Sequence, residues 1–154
     1  MKSCFFIGHR EAPEELASIL GESIERHIIE NGVREFVVGN YGAFDRMAAR
    51  QLAAAKERHP EINIMLLTPY HPSERKINLP KGFEVSFYPP GMERVPKRLA
   101  IVRANKYMIE HSDFLIAYVW HPASNAREFL EYARKREARG DIKIENLADM
   151  INLP

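Results

Sequence analysis

Gly39-Asn40-Tyr41-Gly42-Ala43-Phe44-Asp45 is the stretch whose reading decides the fold. An apolar run, Glu35-Phe36-Val37-Val38, leads into it, and an alanine-rich helical run over residues 46–58 leads out. A strand, a tight glycine turn and a helix N-terminus make the phosphate-binding corner common in nucleotide folds. Glycines let the backbone come close to a ligand, and the first N–H groups of a helix have no intrahelical acceptor. No Gly-Lys-Ser/Thr follows, and the full Gly-x-Gly-x-x-Gly pattern is absent, so kinase or ATPase chemistry is not expected.

The same alternation extends in both directions. Residues 2–7 read as a short buried strand stopped by Gly8, with Gly8-His9-Arg10 as the loop at its end. Pro13, at a first helical position ahead of Glu14 and Glu15, starts a helix whose inner positions are Leu16, Leu20, Ile24 and Ile28. Asn31-Gly32 closes it. Phe44, Ala48, Leu52 and Ala55 give the next helix a narrow face of small side chains. Residues 62–67 form a third apolar strand, 71–82 a polar surface loop, and 83–88 a short strand broken by Pro89-Pro90-Gly91. A long helix is expected from about Pro96 to His111, a buried strand over 114–119, and a helix from Ser124 or Asn125 through Arg139. Residues 142–144 suit a last edge strand. Strands that are apolar throughout and alternate with helices predict one α/β domain, a Rossmann-like three-layer sandwich with a mostly parallel central sheet. Four loops, 8–10, 39–45, 68–72 and 119–125, then meet on one rim, where ligands of such sheets bind.

The 154 residues are 45% hydrophobic and 28% charged, an ordinary globular balance, and the formal net charge is +1. That balance offers no global field to attract nucleic acid or a membrane surface. The N-terminal apolar run is too short for a signal peptide or a membrane span. Cys4 is the single cysteine, so no intramolecular disulfide or thiolate zinc site is available, and a cytoplasmic location is expected. The six histidines show no metal-binding spacing, and neither a metal nor a cofactor is expected.

Each candidate site residue has two readings. Gly39, Asn40 and Gly42 shape either a ligand cradle or simply a turn. Asp45 suits an N-cap, or an acceptor for ribose hydroxyls. Arg10 is placed to pair with a phosphate or to sit in solvent, and His9 to contact the ligand or the backbone. Asn105 shares a helix face with apolar neighbours, so its amide points inward and must find a partner, either on the rim or on a ligand. Ser124 and Asn125 open a helix whose N–H groups are available to a second phosphate. Asn125 and Glu128 also have capping-box spacing. The sharper reading of Glu128 is catalytic: a carboxylate can stabilise an oxocarbenium-like sugar or activate water.

Taken in order, Phe6-Ile7-Gly8-His9-Arg10, the 39–45 turn, Asn105-Lys106-Tyr107-Met108, Ser112-Asp113 and Ser124-Asn125 through Glu128 resemble the SLOG superfamily. These are Rossmann-like domains related to Smf/DprA and LOG proteins, and the nearest likeness is to the YpsA-like group. The match covers roughly residues 2–135. It implies a nucleotide or nucleotide-sugar ligand of the AMP or ADP-ribose class, bound by a sensor or a weakly active protein. LOG relatives are phosphoribohydrolases whose last motif is PGGxGTxxE. The corresponding stretch here, 120–128, keeps Glu128 but carries Ser124-Asn125 in place of Gly-Thr. The alternative implied is thus a nucleotide N-glycosidase using Glu128. Single-stranded DNA binding of the DprA type fits less well with near-neutral charge. The LOG likeness also implies a homodimer, for which the helix at 96–111 is the candidate interface.

Overall fold

The computed structural model describes residues 1–151. Its six strands are β1 (Lys2–Gly8), β2 (Val33–Val38), β3 (Asn63–Leu67), β4 (Val85–Phe87), β5 (Phe114–Tyr118) and β6 (Lys143–Asn146). They form one sheet in the order β4-β3-β2-β1-β5-β6, and every neighbouring pair is parallel. The helices are α1 (Leu16–Ile29), α2 (Ala43–Arg58), α3 (Ala100–His111) and α4 (Asn125–Glu137). The α/β sandwich expected from the alternation is therefore the observed architecture.

Side chains alternate across the sheet, and both faces are covered. Cys4 and Phe6 of β1, Phe36 and Val38 of β2 and Ile116 of β5 join Leu20, Ile24, Phe44 and Leu52 in the core under α1 and α2. Phe5 and Ile7, Val37, Leu115 and Ala117 join Ala104, Met108, Leu130 and Ala133 in the core under α3 and α4. Burial on both faces is why these strands read as continuous apolar runs. The face Phe44, Ala48, Leu52, Ala55 is fully buried, and its two alanines let α2 lie close to the sheet.

Two helix starts differ from expectation. Pro13 opens a turn, with Leu16 N donating to Pro13 O at 3.0 Å, and α1 begins three residues later. Pro96 is extended (ψ 140°), and a short 3₁₀ turn, Lys97–Leu99, precedes α3. In both cases tighter i→i+3 bonds satisfy the donors ahead of the α-helix. Leu99, Ile101 and Val102, at the start of the candidate interface helix, are exposed.

Strand order sets the position of the rim. From β1 the chain moves outward through β2, β3 and β4, then returns to the other side of β1 as β5. The reversal falls between the carboxyl ends of β1 and β5, which is the topological switch point of an open parallel sheet. No helix among the described residues is long and apolar enough to cross a membrane.

Gly8 fixes how closely α2 approaches β1, because a Cβ there would lie 2.2 Å from Cδ2 of the buried Phe44 ring. Gly21, inside α1, is the contrast: its added Cβ would meet only the mobile end of Gln51, at 2.6 Å. Gly8→Ala is expected to destabilise the fold by about 1–3 kcal/mol through overpacking. Gly21→Ala is expected to be neutral, or to stabilise by up to about 1 kcal/mol through helix propensity. Urea denaturation of the two variants checks the contrast, and equal losses would contradict it.

Candidate functional site

The end of β1 bonds to two other loops. Ala43 N donates to Arg10 O at 2.8 Å, and Phe44 N to His9 O at 3.4 Å. This approach needs Gly42, where a Cβ would stand 2.4 Å from Arg10 Cα. The first N–H groups of α2, expected to point free at a ligand, are thus consumed by the chain itself. Gly39 is confined in the same way, since a Cβ there would meet the Tyr41 ring at 2.8 Å and Asp45 Oδ2 at 3.1 Å. Asn40 is exposed at the tip of the turn.

Asp45 is not the N-cap of α2. Gly42 occupies that position, and Asp45 sits at the third helical residue, where Oδ2 accepts from Tyr41 N at 3.0 Å. The carboxylate folds the turn back on itself, as the returning arm of a capping box does. It is only 8% exposed. Burial pushes the carboxyl up to about 6, against the opposing pull of the Tyr41 N–H and Arg46. Beside it, the buried Tyr41 hydroxyl has no hydrogen-bond partner among the described residues. Burial, then the neighbouring Asp45 and Tyr70, raises that phenol above its ordinary range.

His9 crosses the switch point. Its Nε2 accepts from Trp120 N at 2.9 Å and from His121 N at 3.2 Å. Its ring stands edge-on to Tyr118 and Trp120, with centroids 5.6 and 5.5 Å away. Two donated N–H groups require a bare Nε2, which places the ring proton of the neutral form on Nδ1. Burial, then the adjacent His121, holds the imidazole below its ordinary value of 6.5.

The loop after β5 is gripped from a second side. Asn146 Oδ1 accepts from Val119 N at 3.1 Å while its Nδ2 donates to Val119 O at 2.9 Å. The amide extends the sheet by one residue where β6 ends. Ser124 then starts α4, its Oγ accepting from Arg127 N at 3.1 Å. The cap is therefore Ser124, not Asn125, and Glu128 falls one position beyond capping-box spacing.

Among the candidate residues, Gly8, His9, Arg10, Gly39, Gly42 and Asp45 form one contiguous group at the ends of β1 and β2. His9 connects it to the loop leading into Ser124 and Asn125. Arg10 and Asn125 are exposed on this rim. Asn105 stands apart: it is 3% exposed, and its Nδ2 donates to Ile101 O at 2.8 Å, one turn back in its own helix. That bond serves α3 and reaches neither the rim nor another loop. Glu128 is exposed on α4 and makes no ion pair closer than 4 Å among the described residues, whereas Arg127 pairs with Glu131 at 2.9 Å.

Two residues that sequence reasoning passed over stand with the candidate residues on this rim. Trp120, the only tryptophan, is 49% exposed at the switch point. A large aromatic in a loop straight after a buried strand was the available signal. Asn146 had none, because its partner Val119 lies 27 residues away. Only the smaller of two concavities borders the rim. A cleft of about 210 Å³ lies at the opposite, amino end of the sheet, lined by Arg26, His27, Lys143 and Glu145, and there Arg26 is already paired with Glu145 at 2.7 Å. A smaller one of about 80 Å³, beside Tyr70, His71 and Tyr88, borders the rim past β3 and β4. Strand polarity, rather than volume, marks the rim as the candidate site. No group of three or more His, Cys, Asp or Glu side chains among the described residues is arranged to hold a metal.

No protein-family model matches this sequence, and no curated protein matches it.

Asp45 gives a pH signature with a definite sign. Its folded-state value of about 6 lies above the ordinary 3.8, so the native state holds its proton more tightly than the unfolded chain. Its contribution to stability is then lost as pH rises from about 4 through 6 and stays constant above, a cost of up to about 3 kcal/mol. Asp45→Asn keeps an acceptor for Tyr41 N and is expected to stabilise the fold by about 1–3 kcal/mol at pH 7.5, with little difference at pH 4. Chemical denaturation of both proteins across that range measures the difference. A gap that does not widen with pH would refute the assignment.

Proposed function

We propose that this protein is a SLOG-type domain that binds a nucleotide or nucleotide-sugar of the AMP or ADP-ribose class at the β1/β5 switch point. The observation that carries the reading is that exposed Arg10 and exposed Trp120 lie on the two loops flanking that reversal, which His9 joins. Arg10 supplies a charged fork for a phosphate. The N–H groups that open α4 beyond Ser124 add partial positive charge on the same rim. Trp120 offers a flat face for a base, and aromatic stacking of this kind contributes roughly 1–3 kcal/mol. The grips of His9 and Asn146 fix the loop before a ligand arrives, which lowers the ordering cost of binding.

Binding, rather than turnover, is the better supported half of this reading. Glu128 is exposed, so its carboxylate lacks the desolvated setting in which a glycosidic acid is tuned. The glycine turn contributes indirectly, by bringing the β1 loop against α2, instead of cradling phosphate with its own amides.

Because Trp120 is the sole tryptophan, its emission reports directly on occupancy. Titration with AMP or ADP-ribose is expected to change Trp120 fluorescence saturably. Arg10→Ala should weaken binding about tenfold, the value of one charge-assisted contact. Glu128→Gln should leave the affinity unchanged. No fluorescence change and no thermal shift with AMP, ADP-ribose, NAD or cyclic dinucleotides would sink the proposal.

A further inference from the structure

We infer that His9 is a proton-operated latch: while its Nε2 is bare it holds the loop that carries Trp120 against the end of β1, and protonation at that atom releases the loop. As regulation of the site, this rests on the switch-point reading above; as a conformational device, it stands on the hydrogen bonds alone.

The geometry leaves Nε2 one role. Two backbone donors, Trp120 N at 2.9 Å and His121 N at 3.2 Å, converge on a single lone pair. A proton placed there turns the acceptor into a donor facing two donors, and both bonds are lost together. No carboxylate within 4 Å of the ring, among the described residues, offsets this. The Tyr118 phenol at the end of β5, on which the Glu15 charge acts from just ahead of α1, and the Trp120 indole in the loop beyond present their rings to the imidazole. From the following loop comes the second histidine, His121, whose Nδ1 accepts from Ala123 N at 3.1 Å. From α2 the contact is the Phe44 N–H on the His9 carbonyl. Arg10, next in the chain, is exposed. The histidine–carboxylate pairs closer than 4 Å among the described residues both belong to His59, with Glu25 and Glu61. An imidazolium at His9 therefore faces a second titratable imidazole and two N–H groups, with no carboxylate within 4 Å of it among the described residues. Burial and His121 keep the ring neutral down to a pH below 6.5.

The release is local. Val119 stays tied to Asn146 through two bonds that involve no titrating group. Ser124 likewise remains the cap of α4. Loosening is thus confined to residues 120–123, between two fixed points, and moves the indole without unfolding the sheet.

Amide hydrogen exchange by NMR, on the full chain without ligand and corrected for intrinsic rates, tests this directly. Protection of the Trp120 and His121 amides is expected to fall at least tenfold as the pH drops through a midpoint below 6.5. Protection of the β5 amides should not change. His9→Gln places an amide oxygen near the position of Nε2, and should keep both amides protected at every pH. His121→Asn, which preserves an acceptor for Ala123 N, should retain the transition. Overturning results are constant protection in the parent protein, a transition that survives in His9→Gln, or one that coincides with loss of β5 protection, which would be global acid unfolding. Since no nucleotide is present, failure of AMP to bind leaves this result standing, and constant protection leaves the binding proposal untouched.

Discussion

The rim at the switch point depends on what the two residues after β1 do with their acceptors. His9 O and Arg10 O accept the first N–H groups of α2, and His9 Nε2 accepts two from the loop after β5. One short loop thereby ties together the second and fifth strand ends, on either side of β1. In a parallel sheet no shared hairpin joins these ends, so past the ladder that pairs β1 with β2 and β5 the loops are set by such contacts. Gly8 and Gly42 are the steric condition for it. A side chain at either would push Phe44 or the Arg10 backbone away and lengthen the bonds beyond reach.

The same arrangement explains why the glycine turn differs from a Walker-type cradle. Amides at a helix start are useful to a ligand only while they lack acceptors, and here two of them have backbone acceptors supplied by the neighbouring loop. Asp45 then closes the turn from inside, taking the Tyr41 N–H. Polar groups at the β2 corner are largely committed to structure. What stays open on the rim is displaced toward the reversal, where Arg10, Trp120 and the start of α4 are exposed and the backbone beneath them is pinned.

A divided core makes that precision possible. β1 carries Phe6 into one core and Phe5 and Ile7 into the other, all nearly fully buried. The loop at its end thus starts from a point that both layers fix. Asn146 does the corresponding work for β5, replacing a missing strand residue by a side-chain amide that donates and accepts at once. A positioned indole between two such anchors differs from an indole on a free loop, because its ordering cost has been met by folding.

The amino-acid sequence by itself determined the elements and their layering. Continuous apolar runs such as 62–67 and 114–119, separated by helices with one apolar stripe, can be satisfied only in a sheet covered on both sides, and that information is periodic and local. It also placed the candidate residues 8–10, 39–45 and 124–125 on strand ends and helix starts, since glycines and capping residues act within a turn of their own position. Tertiary structure alone decided how those residues are used. That His9 serves Trp120, that Arg10 O occupies an α2 amide, that Asn105 bonds within its own helix and that Asn146 grips Val119 are choices of hydrogen-bond partner. Except for Asn105, these partners lie 27 to 111 residues apart. A donor takes whichever acceptor the packed sheet brings within hydrogen-bonding reach, and no spacing along the chain encodes that distance.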